Sequence, residues 1–260
     1  MSQNVISVRA HDGSVVKFET HSALQSTLKL ARHYAKLGYP DRYVVFAEGK
    51  KKIDDTVRSR GEAERGIYMS CILRPSIFPS QAALISSLAT VAATTALEEH
   101  TEKSLGIGWV SKIYCEGNFI GDVSIEGKLD NFTTYEYMII TFSFVLSEEN
   151  FPARLTDLVK QVFENGHSSV LAIIAKNILN KFLPLYSNIK NSSKFMDIYE
   201  EKFILRGQKI RYIRDGKKHS CRVIGIDRAS GSLVAEDSGK NTVRIATPNS
   251  VIIPKKINIK

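Results

Sequence analysis

The chain has 260 residues, 43% of them hydrophobic and 9% aromatic, which is enough to bury a full core and excludes a disordered tail. Its three cysteines, Cys71, Cys115 and Cys221, are odd in number and lack the short paired spacings of metal sites or small disulfide scaffolds, so a reducing compartment is the simplest setting. The formal charge of +9 sits at one end: residues 206–260 carry 13 of the 36 Lys/Arg and 4 of the 27 Asp/Glu, and the remainder is neutral. A basic segment on a neutral one suggests an anionic partner, by counterion release on nucleic acid or by attraction to an acidic protein, while a solvated surface fits equally.

Residues 1–9 lack an apolar core of signal-peptide length, and the apolar stretch Ala82–Leu97 is interrupted by Ser86, Ser87, Thr90, Thr94 and Thr95. A soluble, intracellular chain without a membrane span is expected. In chain order, Val5–Val8 and Val15–Phe18 read as strands around the Asp12-Gly13 turn. Ser22 with Gln25 has the pattern of a capping box, and Leu24, Leu28, Ala31 and Ala35 recur at helical spacing until Gly38. Tyr43–Phe46 is a strand, Glu48–Arg65 a polar surface loop and Ile67–Leu73 a strand. Ser80 caps a long helix reaching about Glu99.

Gly106–Tyr114, Asn118–Ile125 and Thr133–Val145 are rich in Val, Ile, Tyr and Phe and predict three strands of a meander. Helical spacing returns after Pro152 (Leu155, Leu158, Val159, Val162) and from Ser168 to Leu179, with a short helix around Met196–Tyr199. Ile210–Ile213, Ser220–Ile226, Ser232–Ala235 and Thr242–Ala246 are short strands separated by glycine turns, the pattern of a small barrel. The six histidines form no recognisable constellation, and no metal site is expected.

The segment Leu105–Leu129 resembles the strand–turn–strand of the biotin–protein ligase family, with Trp109, Ile113, Gly121 and Glu126 at the positions of its Lys-Trp-Pro-Asn-Asp and Gly…Glu motifs. Gly66–Ser70 with Leu73-Arg74-Pro75, and Gly207–Ile213 with Gly225–Leu233, are similar to two further family segments. With a strand read from Val5 onward, no counterpart of the family's DNA-binding N-terminal helix-turn-helix is expected in these residues. The resemblance implies an α+β fold: a mixed sheet with helices on one side over residues 1–205, then a small basic SH3-like barrel over 206–260. It also implies the family reaction, in which the carboxylate of biotin attacks the α-phosphate of ATP, assisted by Mg²⁺, and an acceptor lysine on an acidic carrier domain displaces AMP.

Such chemistry needs preorganised cations and glycines where backbone meets phosphate. Here the family's Gly-Arg-Gly-Arg loop is represented by Arg58-Ser59-Arg60-Gly61, and its motif lysine is absent, leaving Gly108-Trp109-Val110-Ser111-Lys112. Thr141-Phe142-Ser143-Phe144-Val145 replaces Gly-Ile-Gly-Ile-Asn, and Ser22-Ala23-Leu24 replaces Ser-Thr-Asn. Ser22, Gly66, Trp109 and Gly121 therefore mark a vestigial ligand pocket, with Arg58 and Arg60 as a remnant adenylate loop and Lys112 as the one candidate for a catalytic cation. Whether Phe142, Phe144 and Leu24 fill the ligand volume is left open, as is Trp109's role as core or platform.

Two readings follow: a binding or structural module that has lost adenylation, or a divergent active ligase using biotin, ATP and Mg²⁺. Arg206, Lys209, Arg211, Arg214, Lys217, Lys218 and Arg222 form the expected anion surface, for an acidic carrier-type domain or for RNA or a large assembly. A homodimer is compatible with either reading.

Overall fold

The computed structural model describes residues 4–10, 13–51, 64–77, 79, 82–130, 134–145, 170–189, 193–246, 250–253 and 257. The first sheet comprises β1 (Asn4–Arg9), β2 (Val15–His21), β3 (Tyr43–Lys50), β4 (Glu64–Leu73), β5 (Leu105–Gly108), β6 (Lys112–Cys115), β7 (Asn118–Asp130) and β8 (Thr134–Val145). Their spatial order is β1-β2-β3-β4-β8-β7-β6-β5. The β2–β3 pair is parallel because helix α1 (Thr27–Lys36) crosses between them, and the other pairs are antiparallel.

Strand alternation sorts the side chains into two layers. Val44, Phe46, Met69, Cys71, Met138 and Ile140 pack with α2 (Ala82–Glu98) and α3 (Val170–Ser187). Tyr43, Val45, Ile72, Tyr137 and Ile139 meet Ala31, Tyr34 and Ala35 of α1 on the opposite face. The α+β mixed sheet expected from the sequence is thus present, with its two long helices together on one side and the short α1 on the other. The hydroxyls that break the apolar run of α2 are satisfied within the helix: Thr90, Thr94 and Thr95 donate to the carbonyls of Ser86, Thr90 and Val91.

Three local expectations change. Helix α1 is capped by Ser26, whose side chain accepts from the Lys29 amide at 3.1 Å, while Ser22 lies exposed just beyond β2; the serine nearer the first periodic turn wins the cap. The stretch read as one strand, Gly106–Tyr114, is a hairpin of β5 and β6 that turns at residues 109–111. The Glu48–Arg65 loop is narrower than expected, since β3 runs to Lys50 and β4 starts at Glu64. The helix expected after Pro152 and the Ser80 cap lie outside the described residues.

Helix α4 (Ser193–Glu201) leads to the second sheet, formed by β9 (Lys209–Arg214), β10 (Lys217–Ile226), β11 (Leu233–Asp237), β12 (Thr242–Ile245) and β13 (Val251–Ile252) in the order β12-β11-β10-β9-β13. All its pairs are antiparallel, and β13 is an addition to the four strands read from the sequence. The connection between the sheets is itself paired: the Ile107 amide donates to the Lys202 carbonyl at 2.7 Å and the Ile204 amide to the Ile107 carbonyl at 3.1 Å, along the outer edge of β5.

One buried charge anchors α1. Glu19 on β2 is fully buried and takes hydrogen bonds from the hydroxyls of Tyr43 (2.7 Å) and Tyr34 (3.2 Å), with His21 Nε2 at 2.7 Å. Tyr34 stacks on Tyr39, and both rings meet Tyr43 edge-on. Burial and the neighbouring carboxylate push the Tyr43 phenol well above its ordinary range. Tyr43→Phe leaves one carboxylate oxygen short of a donor and is expected to cost about 1–3 kcal/mol, read as a lowered urea midpoint; Tyr39→Phe, which keeps the ring stack, is expected to cost less.

Candidate functional site

A cleft of ≈ 1150 Å³ opens between β7 and the second sheet, lined on one side by Trp109, Lys112, Asp122 and Glu126 and on the other by Ser230, Ser232, Val251 and Ile253. The β5–β6 turn puts Trp109 at its rim: the ring is buried and its Nε1 donates to the Gly231 carbonyl at 2.8 Å. Trp109 is therefore a link between the two sheets, a role that the strand pattern of the sequence did not contain. Tyr199 of α4 adds a second link, donating to the Val110 carbonyl at 2.8 Å.

Lys112 opens β6, in register with Asp122, and its ammonium lies 5.8 Å from the centre of the Phe119 ring. Burial raises the Asp122 carboxyl above the ordinary carboxylate range, opposed by the charges of Lys112 and Lys50. Glu126 is held bidentately by Arg32 of α1, with both oxygens at 2.5 Å. The sequence had matched Glu126 to a motif; its partner, 94 residues away, could not be read from local spacing.

Gly66 and Gly121 flank the end of β8 from either side. A Cβ on Gly66 would meet the Phe144 carbonyl oxygen at 2.1 Å, and one on Gly121 the Ser143 carbonyl oxygen at 2.1 Å. Both glycines therefore serve the close packing of β4 and β7 on β8. Phe142 and Phe144 are fully buried on the face of the long helices, where Phe142 meets Phe182 edge-on, so they do not fill a volume on the α1 face. Leu24 packs beside the α1 layer and its backbone is bridged to Lys50.

The α1 face of β4 and β8 is closed instead by hydroxyls. Ser70 is hydrogen-bonded to Thr27 at the start of α1 and to Thr141 of β8, each at 2.9 Å, and Ser70 and Thr27 are buried. Trp109 and Lys112 are brought to the cleft, Gly121 lies beside it, and Ser22 and Gly66 stand apart from its lining; Arg58 and Arg60 lie outside the described residues. The seven cations from Arg206 to Arg222 are all exposed, and none lines the cleft. Among the described residues, no three His, Cys, Asp or Glu side chains gather as a metal site, and no helix is long and apolar enough to cross a membrane.

Trp109→Phe keeps a ring but loses the bond to Gly231. The expected outcome is faster amide exchange around residues 227–232, with β3, β4 and β8 unchanged, measured by hydrogen–deuterium exchange.

No protein-family model matches the chain, and no curated protein does. Solved structures do match. A biotin protein ligase from Aquifex aeolicus, in complex with biotin and ATP, is similar over 90% of this chain and 97% of its own, with a TM-score of 0.65 and 15% identity. A biotin protein ligase-like protein of unknown function from Silicibacter sp. matches over 89% of this chain and 94% of its own, at 0.60 and 15%. A biotin acetyl coenzyme A carboxylase synthetase from Helicobacter pylori, with bound biotinylated ATP, matches over 87% and 98%, at 0.56 and 12%. At such identities the likeness is one of architecture: the chain has the fold of the biotin protein ligases.

Proposed function

We propose that this chain is a biotin protein ligase-fold protein that has lost adenylation and acts by binding. The observation that carries this reading is the Thr27–Ser70–Thr141 hydroxyl chain. It occupies the sheet face where the resemblance calls for glycines to let backbone approach a nucleotide, and its groups are already satisfied by one another. The charge inventory supports the same reading. Glu126 is committed to Arg32, and burial holds the Asp122 carboxyl above the ordinary carboxylate range, so these carboxylates do not suit a Mg²⁺ site.

A second reading, an active ligase that attaches biotin to a carrier-domain lysine, is favoured by one observation: Lys112 lines the cleft with its ammonium free of a carboxylate within ion-pair distance among the described residues. A stopped assay separates the two. Purified protein mixed with biotin, ATP and Mg²⁺ is expected to release no stoichiometric burst of pyrophosphate, and Lys112→Ala is expected to leave that baseline unchanged. A burst in the parent protein that disappears in Lys112→Ala establishes the active ligase and removes our reading.

A further inference from the structure

On β9 and β10, alternation buries Ile210, Tyr212, Cys221 and Val223 and turns Lys209, Arg211, Lys218 and Arg222 to the exposed face. The register sets Lys209 opposite Arg222 and Arg211 opposite Ser220, while Lys218 faces Ile213. A hollow of ≈ 480 Å³ lies on this face, lined by Lys209, Arg211, Ser220 and Ile252. On the neighbouring strands Glu236 stands in register with Arg222, and Arg244 is tied to Asp227. Among the described residues no carboxylate forms an ion pair with Lys209, Arg211, Lys218 or Arg222, and Arg222 donates to the Gly207 carbonyl at 2.9 Å.

Like charges on adjacent strands repel one another across roughly 5 Å. Glu236 offsets part of this at Arg222, but Lys209, Arg211 and Lys218 have no carboxylate opposite them in the register, and a polyanion would supply the missing charge. A protein partner would want an aromatic or largely apolar centre with few lysines; here the hollow is lined by Lys209, Arg211 and Ser220 with Ile252 at its side, it holds no aromatic ring, and the exposed Ile213 and Ile224 stand beside it. A single strand of nucleic acid would want aromatic platforms for its bases; Tyr212 is buried on the other face, and His219 lies against it, 5.3 Å between rings.

We infer that the outer face of β9 and β10 binds the phosphate backbone of a nucleic-acid duplex, without reading its bases. The surface is separate from the cleft, because none of its four cations lines that cleft, and the inference stands whether or not adenylation is lost.

The test uses the full chain and fluorescence anisotropy, with a labelled duplex of arbitrary sequence and roughly 20 base pairs, two helical turns. Binding is expected to weaken with salt at a log–log slope of roughly −3 to −4, four contacts at about 0.9 each, and to change little with sequence or between DNA and RNA duplexes. The triple variant Lys209→Glu, Arg211→Glu, Lys218→Glu is expected to lose at least about tenfold in affinity and most of the slope, with unchanged thermal unfolding, while Lys36→Glu on α1 binds like the parent. If the triple variant does not fold, Lys209→Glu and Lys218→Glu singly are each expected to lower the slope by about one. The assignment is overturned if the duplex shows no salt-dependent binding, if the reversals leave affinity intact, if the separated single strand binds more tightly, or if polyglutamate of equal charge competes as well.

Discussion

Strand β8 sits between β4 and β7, paired along both edges, so the period-two alternation of its side chains is fixed from two directions. Met138, Ile140, Phe142 and Phe144 are committed to the long helices, and Tyr137, Ile139, Thr141 and Ser143 to the side of α1. A slip of one residue would drive Met138, Ile140, Phe142 and Phe144 into the smaller α1 layer and put Thr141 and Ser143 against the long helices. The character of the candidate site follows from this constraint. On the α1 side of β8 the strand presents hydroxyls rather than aromatic rings beyond Ile139, and Ser70 and Thr27 use them to tie β4 and α1 together.

The second sheet joins the first through a shared apolar cluster and a set of specific polar contacts. Trp109 and Tyr199 each place one polar atom on a backbone carbonyl inside otherwise apolar surroundings. Arg228 adds a charged contact, reaching Asp197 and Glu200 of α4. Together these hold the loop around Gly231 over the β5–β6 turn, so the cleft has walls from both sheets, while the cationic face of β9 and β10 points elsewhere.

Much of this architecture is legible in the residues. The order of elements, the long apolar α2 and the glycine-punctuated strands after Gly207 follow from periodicity and turn chemistry, because those signals are local. The rest is decided over distance or by competition between neighbours. Ser22 and Ser26 are both plausible caps, and only the start of the helix at Thr27 chooses between them. Gly106–Tyr114 reads as one continuous strand because Ile107, Trp109, Val110, Ile113 and Tyr114 dominate it, and the hairpin within it carries no Asn-Gly or Asp-Gly signal. The partnerships of Glu19 with Tyr34 and Tyr43, of Glu126 with Arg32, and of Trp109 with Gly231 join segments with no mutual trace in sequence spacing. The basic surface was visible as composition, but its division into an outward row and a hairpin tip needed the register.

The paired connection along β5 has a mechanical consequence. Flexible tethers let two halves of a molecule rock against each other. Here the tether is stitched to the rim of the large sheet by Ile107, Lys202 and Ile204, like an extra short strand. Rocking would have to tear that stitching along with the indole and phenol contacts, so the width of the cleft's mouth is tied to those bonds.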